Sequence, residues 1–407
     1  MNVDELLRDS LREQADEQRP AGAGLADRVL SLRRRRRARR FVSVAAVTVA
    51  VVSMAVVVPG LDSGGTTDVR PADVTEPSRI IAHPDQSPPR DLIAAGRTVL
   101  AAYYTTTVVP RTTERGVSTR TYWLLDPATR KYVKTTKWSW VAVAPGLRTA
   151  AVLEQNLPVR RIGLLDLASG EVERWIPVEH TVGGLAFSPD GRELVATAYD
   201  ANPDARMKSE AAGTGGWDAN MEQSHRTGFY VFDVASGSGS WSEAKAGTDL
   251  NDPTAFLNSR QDFAFSRDGS RIWSGMPAEP GHQFYDRKGR KVEAPEGEKY
   301  LTWFVDAGLS PDGSELAGGF AGKKYKTSSW IVDPRTGKNL VETHGQQLLA
   351  WADNSSLVAW DIGPDGNEYH QRLVLVTLGS DKVVPLSGFR ATQDDTLGRW
   401  TPIFADR

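Results

Sequence analysis

The sequence feature that most constrains the fold is a pair of short elements that alternate along the chain after residue 92. The first element is a strand, a tight turn and a second strand. In such a turn aspartate bonds to the backbone, and glycine adopts the left-handed conformation that other residues resist. The three best copies carry these turn residues: Asp190, Gly191, Asp268, Gly269, Asp312 and Gly313. The element predicts hairpins of short strands.

The second element is an apolar strand that ends in aspartate and is followed by a glycine-containing hairpin. It occurs at Asp166, Asp233, Asp286 and Asp333, and without its glycine at Asp126. These aspartates are 40, 67, 53 and 47 residues apart, whereas four strands and their turns need roughly 40 to 50 residues. The longest gap contains residues 200–226, which are polar and glycine-rich and predict a long inserted loop.

Weaker copies of the first element precede Val99, Ala150 and Leu357, and Leu373 to Leu378 predicts a sixth hairpin strand. The apolar-x-apolar-Ser-Pro-Asp-Gly turns and apolar strand-Asp-x-x-x-Gly hairpins resemble those of TolB-like and WD-repeat-like propellers, over roughly residues 92–385. The resemblance implies a ring of blades that binds a protein or peptide on one face.

We therefore predict an all-β fold for residues 92–407, a six-bladed β-propeller. It becomes seven-bladed if residues 386–407 pair with the preceding linker. A two-sheet sandwich is the alternative, but it does not explain turns that repeat at blade length.

A membrane segment is predicted from Phe41 to Val58, a run of eighteen residues without a charge. As a helix it spans roughly 27 Å at 1.5 Å per residue, close to the hydrocarbon core of a bilayer. Arginines cluster immediately before it, which places the N-terminus in the cytoplasm and the C-terminal domain outside. These arginines are Arg33, Arg34, Arg35, Arg36, Arg37, Arg39 and Arg40. A cleaved signal peptide or a buried strand is disfavoured by the long basic segment and by the length of the run.

Residues 1–40 are predicted to be a cytoplasmic basic segment, and residues 59–91 an extracytoplasmic linker rich in Pro, Gly, Ser and Thr. Within the cytoplasmic segment, residues 2–18 predict a short helix with Leu6, Leu7 and Leu11 on one face. This helix is either a solvated tail whose arginines bind anionic lipid, or a docking site for a cytosolic regulator. The layout resembles actinobacterial membrane-bound anti-sigma factors, which implies a transcription factor as partner, although residues 1–58 lack a zinc-binding His/Cys motif.

Composition excludes several kinds of chemistry. The chain has no cysteine, so disulfides, thiolate metal sites and cysteine nucleophiles are absent. Its six histidines are scattered, without metal-ligand spacing, and no cofactor is predicted. Residues 1–40 hold eleven arginines against seven acidic residues, so of the total charge of −2 the remainder carries −6. That acidic balance disfavours nucleic acid as a partner.

The expected function is a non-enzymatic, membrane-anchored binding or sensing module for an unidentified protein, peptide or glycan. The repeated aspartates are interpreted as turn caps. Trp217, in the predicted inserted loop, is the best single candidate for an exposed anchor, because aromatic side chains are enriched at binding hot spots. Two alternatives stay open, namely a transmembrane regulator and a hydrolase or lyase whose site is assembled from distant blades.

Overall fold

The structure, a computed structural model, describes residue 76 and residues 79–208, 216–219, 224–245, 260–276, 280–302, 304–322, 324–325, 327–391 and 399–407. The predicted cytoplasmic segment and transmembrane helix, with Leu6, Leu7, Leu11 and the arginine cluster, lie outside these residues. So does the linker up to residue 75. Within the described ranges there is no helix of the length and apolarity that crossing a bilayer requires.

The described chain consists of antiparallel strands and turns, which confirms the all-β prediction. Its strands fall into consecutive antiparallel units. Unit 1 contains β1 (Ala94–Ala95), β2 (Thr98–Pro110), β3 (Arg115–Asp126) and β4 (Lys131–Thr135). Unit 2 contains β5 (Trp138–Val143), β6 (Thr149–Glu154), β7 (Val159–Asp166) and the first half of β8 (Val172–Phe187). Unit 3 contains the second half of β8, β9 (Glu193–Tyr199), β12 (Arg226–Asp233) and β13 (Gly239–Glu243), and between β9 and β12 lie β10 (Ala205–Lys208) and β11 (Trp217–Ala219).

The later units are shorter. Unit 4 contains β14 (Phe263–Phe265), β15 (Ile272–Gly275), β16 (His282–Tyr285) and β17 (Lys291–Val292). Unit 5 contains β18 (Leu316–Phe320), β19 (Ser328–Val332) and β20 (Asn339–His344), and a single bridge joins Leu309 to Leu316. Unit 6 contains β21 (Gln347–Trp351), β22 (Ser356–Ile362), β23 (Gln371–Thr377) and β24 (Val383–Pro385). Units 2 and 3 are hydrogen-bonded into one sheet because β8 belongs to both.

The last strand returns to the first unit. β25 (Thr401–Asp406) pairs antiparallel with β2, with Thr98 opposite Asp406 and Tyr104 opposite Thr401. A seventh blade would require residues 386–407 to pair with the linker, and between these two stretches the structure has a parallel bridge from His83 to Ser387. Within the described residues this C-terminal stretch adds a strand to unit 1 and makes no separate four-stranded sheet.

Apolar clusters join each unit to the next. Each cluster contains fully buried residues from two consecutive units, and one joins unit 6 to unit 1, so the series of contacts closes on itself. Representative pairs, in order, are Val99 with Ala150, Ile162 with Leu194, Phe229 with Phe263, Phe284 with Leu316, Ala317 with Leu357, and Leu373 with Leu100. Each unit therefore covers the apolar face of its neighbours, and the central strands are buried on both faces.

The inserted segment of unit 3 contains a hairpin where the sequence predicted a loop. β10 pairs with β11 and also with the start of β3 in unit 1, with Arg206 opposite Gly116. β4 covers β3 only from Tyr122 to Asp126, so the first part of β3 is an edge that β10 occupies. Pairing an open edge satisfies backbone groups that would otherwise face solvent.

Antiparallel pairing gives every unit the same polarity. The hairpins that contain Asp166, Asp190, Asp233, Asp268 and Asp312 lie at one end of the strands, which we call the turn end. The described parts of the inserted segment and of the connections that follow β15, β18 and β22 lie at the opposite end, which we call the loop end.

Candidate functional site

The predicted turn residues form one repeated hydrogen-bond network. The Ser188 hydroxyl donates to Asp190 Oδ1 at 2.6 Å and accepts from the Glu193 backbone at 2.9 Å. Asp190 Oδ1 also accepts from the Arg192 backbone at 3.1 Å, and Gly191 has φ of 71°. The same bonds recur around Asp268 with Gly269 and around Asp312 with Gly313. The serine is buried in all three copies.

The hairpin aspartates also accept bonds from their own turns. Asp166 accepts from the Ser169 backbone at 2.7 Å, Asp233 from the Ser236 backbone at 2.7 Å, and Asp333 from the Arg335 backbone at 2.8 Å. The bond from the Ser188 hydroxyl and the one from the Arg192 backbone hold the pKa of Asp190 below its ordinary value. A carboxylate whose oxygens are used in this way is a structural cap.

Trp217 lies in β11 of the inserted hairpin and is half-buried. Its ring covers Gly116 of unit 1, where an added Cβ atom would lie 3.0 Å from Trp217 Cζ3. The Lys208 ammonium lies 5.1 Å from the ring centroid. These contacts place Trp217 against β3, and whether it also contacts a partner stays a prediction.

A cleft with two exposed phenylalanines lies at the loop end, between units 5 and 6. Phe304 and Phe320 are 45% and 57% exposed. The cleft has a volume of about 220 Å³. Its other lining residues are Val305, Gly318, Gly319, Ser329, Gln346, Gln347 and Gln371. Exposed aromatic rings beside neutral polar groups are typical of recognition surfaces.

Hydrogen bonds orient the glutamines of the cleft. Gln371 Nε2 donates to Gln346 Oε1, and Gln371 Oε1 accepts from Arg399 at 2.8 Å. Gln347 Nε2 donates to Asp306 Oδ2 at 2.9 Å. The side-chain amides are therefore held in position, and a glutamine amide presents the donor and acceptor that a peptide backbone requires.

Glycines open the floor of this cleft. A Cβ atom added at Gly319 would lie 3.1 Å from Phe304 Cζ, so the Phe304 ring lies directly over this glycine. A Cβ atom added at Gly318 would lie 2.7 Å from Val332 Cγ2. Larger residues at these positions would fill the cleft or displace its walls.

A buried ionic network ties the inserted segment to units 1 and 4. Arg120 of β3 donates to both oxygens of Asp204, at 2.6 and 2.9 Å, and these side chains are only 8% and 3% exposed. Arg260 Nε lies 3.3 Å from Asp204 Oδ1. The Arg260 guanidinium also lies 3.9 Å from the centroid of the Trp140 ring. The network covers Trp140 with two stacked cations.

Charge compensation keeps Asp204 ionised. Burial acts to raise its pKa, but the Arg260 charge and the Arg120 hydrogen bonds outweigh burial and hold the pKa below its ordinary value. A bidentate pair of this kind fixes direction as well as distance. The network therefore supports the position of the inserted hairpin.

Sequence reasoning missed both the cleft and the ionic network. One indication was available for the network, because Ser118, Arg120 and Tyr122 alternate on the buried face of β3. An arginine at such a position requires a buried partner. No local pattern marked Phe304 or the three glutamines, since units 5 and 6 bring them together from separate stretches.

In the described ranges, no group of three or more His, Asp or Glu side chains is arranged to hold a metal ion. His282, one of the scattered histidines, is buried, and burial lowers its pKa to about 4. Its ring lies 4.2 Å from that of Trp273, so it is a neutral packing residue.

Comparison with known proteins gives no family for this chain. It matches no protein-family model and no curated protein sequence. Among solved structures it is similar to TolB from Acinetobacter baumannii, at 15% identity and a TM-score of 0.36, over 70% of this chain and 67% of TolB. It is also similar to the β-propeller domain of Cps50 (Swd1) from Myceliophteria thermophila, at 14% identity and a TM-score of 0.37, over 74% and 96% of the two chains. A third is the acylaminoacyl peptidase of Pyrococcus horikoshii, at 13% identity and a TM-score of 0.38, over 75% of this chain and 47% of the peptidase.

Proposed function

We propose that residues 92–407 form a six-bladed β-propeller that binds a protein or peptide and catalyses no reaction on it. Units 1 to 6 are the blades. The closed series of apolar clusters supports the ring, and so does the pairing of β25 with β2, which completes the first blade with a strand from the end of the chain. Such closure removes exposed sheet edges and makes a rigid platform for binding loops.

The observation that supports binding is the cleft between units 5 and 6. It places Phe304 and Phe320 beside three oriented amides. The phenylalanines would contribute apolar area, and the glutamines would pair with the backbone of an extended peptide. We infer an uncharged, apolar peptide segment as ligand, because none of the residues that line the cleft is charged.

Capture of envelope proteins by the immobilised full-length chain tests the proposal. The double variant F304S/F320S and the variant Gly319→Val should lose the captured protein, because the first removes the apolar contacts and the second fills the cleft. The matched control is V133S/L340S, since Val133 and Leu340 are 55% and 53% exposed outside the cleft. Identical capture by the wild type and both cleft variants would refute the cleft as the site.

We further propose that the segment 41–58 anchors the propeller outside the cytoplasm, on the basis of the arginines that precede it. The absence of native cysteine allows a direct test with single-cysteine variants. A membrane-impermeant maleimide should label Glu171→Cys, an exposed turn residue, in intact cells. It should label Ser10→Cys only after lysis. The reverse pattern would overturn the topology.

A second candidate function, a transmembrane regulator that binds a transcription factor, is supported by the apolar face of the predicted N-terminal helix. A triple change of Leu6, Leu7 and Leu11 to aspartate should release a cytosolic protein that copurifies with the full-length chain. The changes Asp9→Asn and Glu13→Gln on the same segment should not. Copurification that survives the triple change would contradict this function.

A further inference from the structure

A second cavity opens at the turn end, with a volume of about 460 Å³. The three turns that contain Asp190, Asp268 and Asp312, in units 3, 4 and 5, contribute lining residues, and unit 1 contributes Arg97. The stretch from Pro295 to Glu298, in the connection after β17, completes the lining. This volume lies within the range of about 300–1,000 Å³ that is usual for small-ligand sites.

Glu298 is the unusual residue of this cavity. It is only 4% exposed, yet its carboxyl group has one hydrogen-bond partner among the described residues. Oε1 accepts from the Arg267 backbone at 2.8 Å. Burial raises the pKa of Glu298 to about 7. A buried carboxyl group with a free oxygen facing a cavity is placed to accept a bond from a ligand.

The charges that line the cavity favour a cation. Four acidic residues line it, Asp190, Asp268, Glu296 and Glu298, and the Asp190 and Asp268 carboxylates also accept hydrogen bonds from their own turns. Of the two arginines that line the cavity, Arg97 is paired with Asp406, whose carboxylate lies 2.5 Å away. Outside the lining, Arg192 lies 3.9 Å from Asp190. The acidic residues of the lining outnumber its arginines by four to two. No three of the described acidic groups are close enough to hold a metal ion. A cation that donates several hydrogen bonds to acceptors farther apart than the ligands of a metal ion fits this spacing better than a metal ion does.

We propose that the turn-end cavity binds a primary ammonium group, from a lysine side chain or a small free amine, with Glu298 as the principal acceptor. This site is separate from the phenylalanine cleft and does not depend on the function proposed for it. The hydrophobic stem of such a ligand would contact Pro189, Leu309 and Pro311, which also line the cavity.

Binding should depend on pH with a defined sign. An alkylammonium group has an ordinary pKa near 10.4 and stays charged at neutral pH. Glu298 must lose its proton to accept it, so affinity is full well above pH 7 and falls as the pH drops below 7. Linkage gives about tenfold weaker binding at pH 6 than at pH 8. The other charged groups facing Glu298 and the cavity are Arg97, Asp190, Arg267, Asp268, Glu296 and Asp406.

Calorimetric titration of the full-length chain in a mild detergent tests this site. The probes are cadaverine and the blocked peptide acetyl-Gly-Lys-Gly-amide, with the norleucine peptide as a matched uncharged control. Binding of cadaverine alone supports a free amine as the ligand, and binding of the lysine peptide supports a lysine of a partner. The norleucine peptide should not bind.

Two variants separate Glu298 from its surroundings. Glu298→Gln should weaken binding at least tenfold at pH 8 and abolish the pH dependence. Glu296→Gln removes an exposed carboxylate at the rim of the cavity and should weaken binding without abolishing the pH dependence. This second variant tests the site even if Glu298→Gln does not fold. Glu293→Gln, on the same connection but outside the cavity lining, should bind as the wild type. Failure of both amines to bind, equal binding of norleucine, or affinity that rises toward pH 6 would overturn the proposal.

Discussion

Replacing Asp204 with alanine should strongly destabilise the domain. Asp204 is 3% exposed and bonds to Arg120, itself 8% exposed, at 2.6 and 2.9 Å. The change leaves Arg120 and the neighbouring Arg260 buried without their shared counter-ion. Removing one partner of a buried pair costs about 3–5 kcal/mol, most of which is the penalty for the uncompensated charge that remains.

The same reasoning predicts a partial rescue. In the double variant D204L/R120M no unpaired charge remains in the Arg120 position, and well-packed apolar replacements of buried pairs are often neutral or stabilising. Arg260 keeps its bonds to Asp262 and to the Gly183 carbonyl. The double variant should therefore be more stable than Asp204→Ala alone. A surface control, Glu154→Ala, breaks the exposed pair with Arg161 and should leave stability unchanged within error.

Denaturant unfolding of the full-length chain, followed by tryptophan fluorescence, measures these differences. Hydrogen exchange gives an independent local measurement, because loss of the network should expose the amides of β10 that pair with β3. Since the Asp204 pKa is lowered from 3.8, its contribution is present above about pH 4 and is lost as the pH falls further. A cost below about 1 kcal/mol, with β10 still protected, would refute the assigned role of the network.

Three further predictions concern closure and turns. Deleting residues 401–407 removes the strand that pairs with β2 and should abolish cooperative unfolding; an intact near-UV circular dichroism spectrum would contradict this. Gly96→Ala should lower the free energy of unfolding, measured with denaturant, by about 2–4 kcal/mol. The reason is that φ of Gly96 is 55° and the new Cβ would lie 2.1 Å from the Ala352 carbonyl oxygen. An unchanged free energy of unfolding would count against close contact between units 1 and 6. Ser310→Ala should lower the free energy of unfolding by about 1–3 kcal/mol in the same assay, because the buried hydroxyl accepts a hydrogen bond from the Glu315 backbone. An unchanged denaturant midpoint would show that this bond contributes nothing to stability.

Much of the fold was predictable from local chemistry. The Ser-x-Asp-Gly turns and Asp-containing hairpins are completed within about six residues, so their conformation needs little help from distant parts of the chain. Their spacing then set the size of each unit. Residues 200–226 were predicted to be an inserted loop, whereas they contain a hairpin. The pairing of that hairpin with β3 was not predicted, because it depends on an open edge some ninety residues earlier.

The candidate sites were beyond sequence reasoning for the same reason. Phe304, Gln347 and Gln371 form one cleft only because units 5 and 6 pack side by side. Glu298 reaches the backbone of Arg267 only because the connection after β17 lies against the turn of unit 4. Glutamine and glutamate on connecting segments look like ordinary solvated residues until their burial is known.

The amino-acid sequence alone determined the strands, the turns and their repeat, because periodicity and turn chemistry act over a few residues. Tertiary structure decided which units meet, where β25 pairs, and which polar groups are buried together. Those outcomes depend on contacts between residues as far apart as Arg97 and Asp406, whose free energy exists only after the chain has closed.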